Sequence, residues 1–225
     1  MLLKFKQTTN LNPFNIMVAV ILWLLSSQAM AANKIDTQNP YLMIKEVATQ
    51  TFERFDKDKD ILNHNRNYLK TIVAQQLMPY IDYKYAALKA MGRYVRDATP
   101  DQRQRFVNAF EGYLVSTYAQ AFTAYTNQQV EFEPPQSYEG QKQVLVDVKI
   151  VEPGRPPINI GFKIRRLKNG TWKAFDMVAE GVSLLRSKQA EMDTLIRQEG
   201  LDKVIKMLDE KANDSIADKS QASRR

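Results

Sequence analysis

The 225-residue chain has no cysteine, so disulfides and thiolate chemistry are excluded and the fold must be held by its core alone. It has one histidine, His64, in the polar segment LNHNRN. A single imidazole supports neither a histidine metal cluster nor a catalytic relay. DKDKD at residues 56–60 suggests calcium, but it lacks the glycine and distal glutamate of an EF-hand loop and reads as a solvated charge run. No G-x-S-x-G elbow, Walker A loop or dinucleotide fingerprint occurs. Acidic charge is the scarcer sign: 25 Asp and Glu stand against 32 Lys and Arg, giving +7. That balance points to anionic partners, with membrane headgroups favoured over nucleic acid, for which no binding module is recognisable.

Long apolar runs are also missing. The longest, FNIMVAVILWLL at residues 14–25, is too short to span a bilayer comfortably. It follows Lys4 and Lys6 and precedes SSQAMAANK, where Ala29 and Ala31 fit an A-x-A cleavage site. Residues 1–31 therefore read as a secretory signal, and losing Lys4 and Lys6 takes the charge to +5. Residues 32–211 are long enough for one domain with a sizeable core, and the small, polar residues 212–225 read as a disordered tail.

The first half of the exported chain carries helical signals. Asn39 and Pro40 suit an N-cap and first turn, and Ile44, Val47, Ala48, Thr51, Phe52 and Phe55 follow at helical spacing. Leu69, Ile72, Val73 and Leu77 share a face that ends at Pro79. A third helix starts at Asp82 and stops at Gly92. Thr99, Pro100 and Gln102 form a capping box before a helix whose apolar set includes Phe106, Phe110, Tyr113, Leu114, Tyr118, Phe122 and Tyr125. That set is wider than one stripe, so this helix contacts structure on more than one side or borders a cavity.

From Gln129 the period becomes two. QVEFEP, QVLVDVKIVE and INIGFKIRRL read as strands, and Asn169-Gly170 predicts a two-residue type I′ hairpin. That register sets Ile164 against Phe175, Phe162 against Met177 and Ile160 against Ala179 on one apolar face. On the other face Asp176 opposes Lys163. Asp176 and Glu180 could be a pair of catalytic carboxylates, but the cross-strand lysine favours a structural role for Asp176. Two helices, broken at Gly200, close the chain. The fold class expected is α+β: a small antiparallel sheet of about four strands packed against several helices.

The segments YLKTIVAQQLMPYIDYKYAALKAMGRY, ATPDQRQRFVNAFEGYLVSTYAQAF and TWKAFDMVAEGVSL, in this order after a signal peptide, resemble the MlaC (toluene-tolerance) family of periplasmic phospholipid-binding proteins. The family often has tyrosine where Phe175 stands. The resemblance implies an apolar cavity between sheet and helices that holds acyl chains, with phospholipid as cargo and no other cofactor. It also implies a non-enzymatic carrier that passes lipid between an outer-membrane lipoprotein–porin complex and an inner-membrane ABC transporter complex, maintaining outer-membrane lipid asymmetry.

On that resemblance the cavity wall is expected to comprise Val146, Val148, Ile160, Phe162, Ile164, Phe175 and Met177 from the sheet. Leu69, Ile72, Val73, Leu77, Phe110, Tyr113 and Leu114 are expected from the helices. Two other readings stay open: an exported enzyme using Asp176 or Glu180 as a base in an apolar pocket, and an envelope adaptor that binds no lipid.

Overall fold

The computed structural model describes residues 35–125 and 128–217. The expected signal segment, residues 1–31, lies outside them.

Helix α1, Pro40–Lys57, begins where the Asn39 carboxamide oxygen accepts the Tyr41 and Leu42 N–H groups at 3.0 and 3.2 Å. Its end corrects the reading of DKDKD. Asp58 is 8% exposed and takes the Arg54 guanidinium, which also donates to the Tyr68 hydroxyl at 2.6 Å. The charge run is thus a helix junction with a buried aspartate at its centre, leading into α2, Lys59–His64. His64 donates through Nδ1 to the Asp60 carbonyl at 2.7 Å. Helix α3, Tyr68–Gln76, runs into a 3₁₀ turn at Met78–Tyr80, where Pro79 cannot continue the α-helical ladder.

Helix α4, Tyr83–Met91, is capped by Asp82, which accepts the Tyr85 N–H at 3.2 Å, and is stopped by Gly92 at φ 62°. Helix α5, Pro100–Phe122, has both arms of its capping box: Gln102 N–H to Thr99 Oγ1 at 3.1 Å and Thr99 N–H to Gln102 Oε1 at 3.0 Å. Helix α6, Leu184–Glu199, is capped by Ser183, and α7 spans Leu201–Asn213.

The strands are β1 Gln129–Phe132, β2 Gln143–Val151, β3 Ile158–Arg166, β4 Trp172–Ala179 and β5 Val182–Ser183. They form one antiparallel meander in the order β1-β2-β3-β4-β5. Among the described residues, seven helices and this sheet give the expected α+β class, with one short strand more than expected.

The β3–β4 hairpin differs from its expected form. Gly170 N–H donates to the Leu167 carbonyl at 3.0 Å, Leu167 N–H donates to Thr171 at 2.7 Å, and only Gly170 has positive φ. The loop is therefore the three-residue 168–170, with Gly170 in the left-handed region, and near it Ile164 opposes Ala174 rather than Phe175. A bulge between Ala174 and Asp176 then inserts Phe175 as an extra residue. Beyond it Lys163 faces Asp176, Phe162 faces Met177 and Ile160 faces Ala179, as expected. The longer loop and the bulge offset each other. The type I′ geometry sits instead at Glu180-Gly181, both at positive φ (48° and 81°), joining β4 to β5.

Three apolar clusters hold the chain together. α1 covers one sheet face, packing Tyr41, Met43 and Ile44 on Val146, Val148, Ile164, Trp172 and Ala174. α4 to α7 form a bundle around Ala87, Ala90, Phe106, Phe110, Val204 and Ile205. The third cluster gathers Phe55, Leu62, Leu69, Ile72, Val73, Met78, Ala119 and Ile216. Ile216 belongs to the stretch expected to be disordered. The 211/212 boundary falls inside α7, and residues 214–217 are tied down: Lys70 Nζ donates to the Ala212 and Asp214 carbonyls at 2.7 and 2.6 Å. Asn67 Oδ1 accepts the Ile216 N–H at 2.8 Å, and Gln120 exchanges two hydrogen bonds with Ala217 at 3.0 Å.

Helix α5 approaches α7 most closely at Gly112, where a Cβ would stand 2.9 Å from the Ala212 Cβ. Alanine at 112 gains about 1 kcal/mol of helix propensity, but overpacking costs about 1–3 kcal/mol. Gly112→Ala is expected to lower the melting temperature by a few degrees, and adding Ala212→Gly to restore part of it. Thermal denaturation of the two singles and the double variant measures the coupling, which additive effects would contradict.

Candidate functional site

Asp176, the more suggestive of the two carboxylates, is fully engaged. Its side chain is 3% exposed. Oδ2 accepts from Lys163 Nζ at 2.9 Å and Ser183 Oγ at 2.7 Å, and Oδ1 accepts the Leu185 N–H at 2.9 Å. The last donor lies in the first turn of α6, whose unpaired amides and dipole favour an anion. Burial pushes the carboxyl up, but the bonds from Lys163, Ser183 and the Leu185 amide outweigh it and hold Asp176 below the usual carboxylate range. A general base needs an accessible lone pair and a pKa near the working pH, and Asp176, buried and with a lowered pKa, offers neither. Its partner in the catalytic reading, Glu180, is exposed at the β4–β5 turn and accepts the Asn159 N–H at 2.6 Å.

The residues expected to line a cavity divide among the three clusters. Leu69, Ile72 and Val73 (0–3% exposed) are interior to the third. Val146, Val148 and Ile164 (0–4%) are interior to the sheet cluster, and Phe110 (2%) to the bundle. Leu77, Tyr113, Leu114, Ile160 and Phe162 are half-buried at the cluster margins. Leu114 borders both helical clusters. Met177 is half-buried opposite Phe162, while the bulge sends Phe175 to the Tyr85 ring, edge-on at 5.2 Å.

A residue that receives a ligand must keep some accessible surface before the ligand arrives, so the half-buried set is the better candidate. Sequence reasoning left out of that set four half-buried aromatics around the buried Phe55: Phe52 on α1, Tyr118 and Phe122 on α5, and Tyr125 just after it. Phe52 stacks on Tyr125 at 4.6 Å, and Phe55 meets Phe122 edge-on at 4.9 Å. Tyr118, in the same cluster, is half-buried, yet burial, then Asp176 and Tyr113, push its hydroxyl up to about 12. The width of the apolar set on α5 was the sequence signal for this aromatic group.

Polar groups lie beside this seam. Lys188 Nζ lies 4.7 Å from the Tyr113 ring centre and bonds Glu191 at 2.6 Å. Burial alone would lower Lys188, but Glu191 and Tyr113 outweigh it and raise its pKa. Two open concavities lie elsewhere. One of about 340 Å³ includes Arg105, Asp202 and Lys206, and one of about 610 Å³ on the sheet includes Glu133, Asp147, Gly161 and Val178. Neither is predominantly apolar in its residues; the sheet concavity takes in Val148 and Ile160 of the expected wall, and the other half-buried residues of that wall lie outside both.

The MlaC family profile matches residues 45–210, from the middle of α1 to α7. The chain belongs to the MlaC family. Among curated MlaC relatives, the Haemophilus influenzae intermembrane phospholipid transport system binding protein MlaC is 29% identical over 88% of this chain and 93% of its own length. The Pseudomonas putida toluene tolerance protein ttg2D is 23% identical over 76% of this chain and 80% of its own. A solved phospholipid-binding protein from Ralstonia solanacearum, in complex with a phospholipid, shares the fold at a TM-score of 0.69 and 24% identity, covering 77% of this chain and 97% of that one. Within the MlaC-family match lie both the half-buried set and the Asp176 junction.

Asp176 gains from folding only while it is ionised. Its depressed folded pKa means this stabilisation is present above the unfolded value near 4 and is lost as pH falls through the folded value. Asp176→Asn is expected to cost about 2 kcal/mol at pH 7, and the gap to wild type to narrow toward pH 3. Urea denaturation at both pH values measures this, and a gap that stays constant would contradict it.

Proposed function

We propose that this chain is a periplasmic, non-enzymatic phospholipid carrier that moves lipid between the outer and inner membranes. The match to the MlaC family over residues 45–210 carries this reading. The phospholipid named for the Haemophilus relative and bound in the Ralstonia structure supports it, as does the half-buried apolar seam.

The physical task of such a carrier is to keep acyl chains from water. At about 0.8 kcal/mol per methylene, exposing two chains would cost on the order of 20 kcal/mol. A protein wall of the same apolarity offsets most of that, so loading and unloading become nearly isoenergetic with the bilayer. Direction then has to come from the complexes at either end, proposed as an outer-membrane lipoprotein–porin assembly and an inner-membrane ABC transporter. No group on this chain needs to do work beyond binding.

Acyl chains would enter between sheet and helices against their half-buried side chains: Phe162 and Met177 from the strands, Leu77, Leu114 and Tyr118 from the helices. Separating these elements exposes apolar surface that lipid covers again. The fully buried residues behind them (Ile72, Val73, Ile164 and Phe110) keep their packing and hold each element rigid.

Detergent-free purification from the periplasm, solvent extraction and mass spectrometry should recover phospholipid with the protein. Phe162→Glu, which puts a carboxylate on the apolar sheet face, is expected to cut the recovered lipid at least severalfold while circular dichroism stays native. Wild-type protein that holds no phospholipid after challenge with lipid vesicles would overturn the carrier. Catalytic turnover lost in Asp176→Asn would favour the enzyme reading instead.

A further inference from the structure

The segment 83–96, covering α4 and the turn after it, carries Lys84, Lys89, Arg93 and Arg96 and no acidic residue. Helix α4 buries Ala86, Ala87, Ala90 and Met91, which leaves Lys84, Leu88 and Lys89 exposed and Tyr85 half-buried. This face abuts the solvent face of the sheet. Arg165 on β3 pairs with Asp82 at 2.5 Å and lies 4.2 Å from the Tyr85 ring centre, and Lys89 approaches the same ring at 5.4 Å. Across the ladder, Arg165 neighbours Lys173 on β4, and Lys163 neighbours Leu145 on β2.

One strip of surface thus joins α4 to three strands. Three acids fall within it: Asp82 and Asp176, engaged by Arg165 and Lys163, and Asp147, exposed beside Leu145 on β2, while Arg93 is paired with Asp193. Lys84, Lys89 and Lys173 form no ion pair among the described residues, so the strip keeps a positive surplus. Leu88 and Leu145 remain 37% and 45% exposed among these cations, and Phe175, displaced by the bulge, lies against Tyr85. Lysines beside exposed leucines and a half-buried tyrosine match the layers of a membrane interface: phosphate outermost, ring at headgroup level, apolar side chains below. An acidic protein would meet the cations equally well, but it gives no account of the leucines spaced among them.

We propose that the outer face of α4 and the adjoining sheet face form a docking surface for anionic phospholipid bilayers, separate from the apolar seam. The assignment stands apart from the carrier reading, because it rests on surface charge and the exposed leucines. Arg165 and Lys163 also hold the fold through Asp82 and Asp176, so the surface is tested at Lys84, Lys89 and Lys173.

The test is co-sedimentation of the exported chain with vesicles of phosphatidylethanolamine and phosphatidylglycerol at 3:1, against vesicles of phosphatidylcholine alone. Binding is expected to the anionic vesicles only and to fall steeply between about 50 and 300 mM salt. Lys84→Glu combined with Lys89→Glu is expected to weaken it at least about tenfold, and Lys173→Glu several-fold. Lys206→Glu on α7, of the same charge change as Lys173→Glu, is expected to leave it unaltered. Equal binding to both vesicle types, equal loss in all variants, or no binding at low salt would overturn the surface. The last result would leave an acidic protein as its partner.

Mass spectrometry of lipid carried by the same preparations separates the two readings. Loss of vesicle binding in the α4 variant with cargo retained supports the surface. Wild type free of cargo that still binds anionic vesicles overturns the carrier alone.

Discussion

The carboxylate of Asp176 is the junction on which the arrangement of sheet and helices depends. It takes one donor from β3, one from β5 and one from the first turn of α6, while its own backbone belongs to β4. Four elements therefore meet at one buried charge that is satisfied on every side. The bulge makes this possible. In the register nearest the loop, Asp176 would fall opposite Phe162 and point into the apolar face. The extra residue at Phe175 turns it toward Lys163 and α6. A single inserted residue thus keeps a charge out of the core and fixes where the last two helices leave the sheet.

That arrangement separates rigidity from capacity. The best-packed residues form the interior of each cluster, and partly accessible ones such as Leu77, Tyr118 and Phe162 lie at the margins, with Leu114 bordering both helical clusters. A binding protein for flexible chains benefits from such a division. In the carrier proposed above, the walls would hold their shape while the boundary between them yields.

Much of this was legible in the sequence because the signals were local. Asn39, Asp82, Thr99 with Gln102, Ser183 and Gly200 mark helix ends through side-chain or backbone geometry set within a few residues. The meander also followed from local alternation. The hairpin loop was misread because Asn-Gly serves two turns: glycine fits both the second position of a type I′ loop and the left-handed residue after a type I turn. The bulge has no local signature, since it satisfies Asp176 through partners up to 13 residues away. Asp58 looked solvated because Arg54 lies on the preceding helix and Tyr68, which joins the same cluster, stands ten residues further on. Which apolar side chains are half-buried was not legible at all, because periodicity assigns a face and not a depth.

The clamp at Lys70 bears on the order of assembly. Each strand of the meander pairs with its neighbour in sequence, so the sheet closes through short loops at small entropic cost. Lys70, by contrast, meets carbonyls 142 and 144 residues further on. In a chain that emerges N-terminus first, the sheet and the α4–α6 helices can form while α3 still lacks the residues that cover it. Helix α7 and the strap through Ile216 and Ala217 arrive last and shield the third cluster only when the whole chain is present. The N-terminal half therefore waits on the C-terminal end, with no disulfide to hold its place.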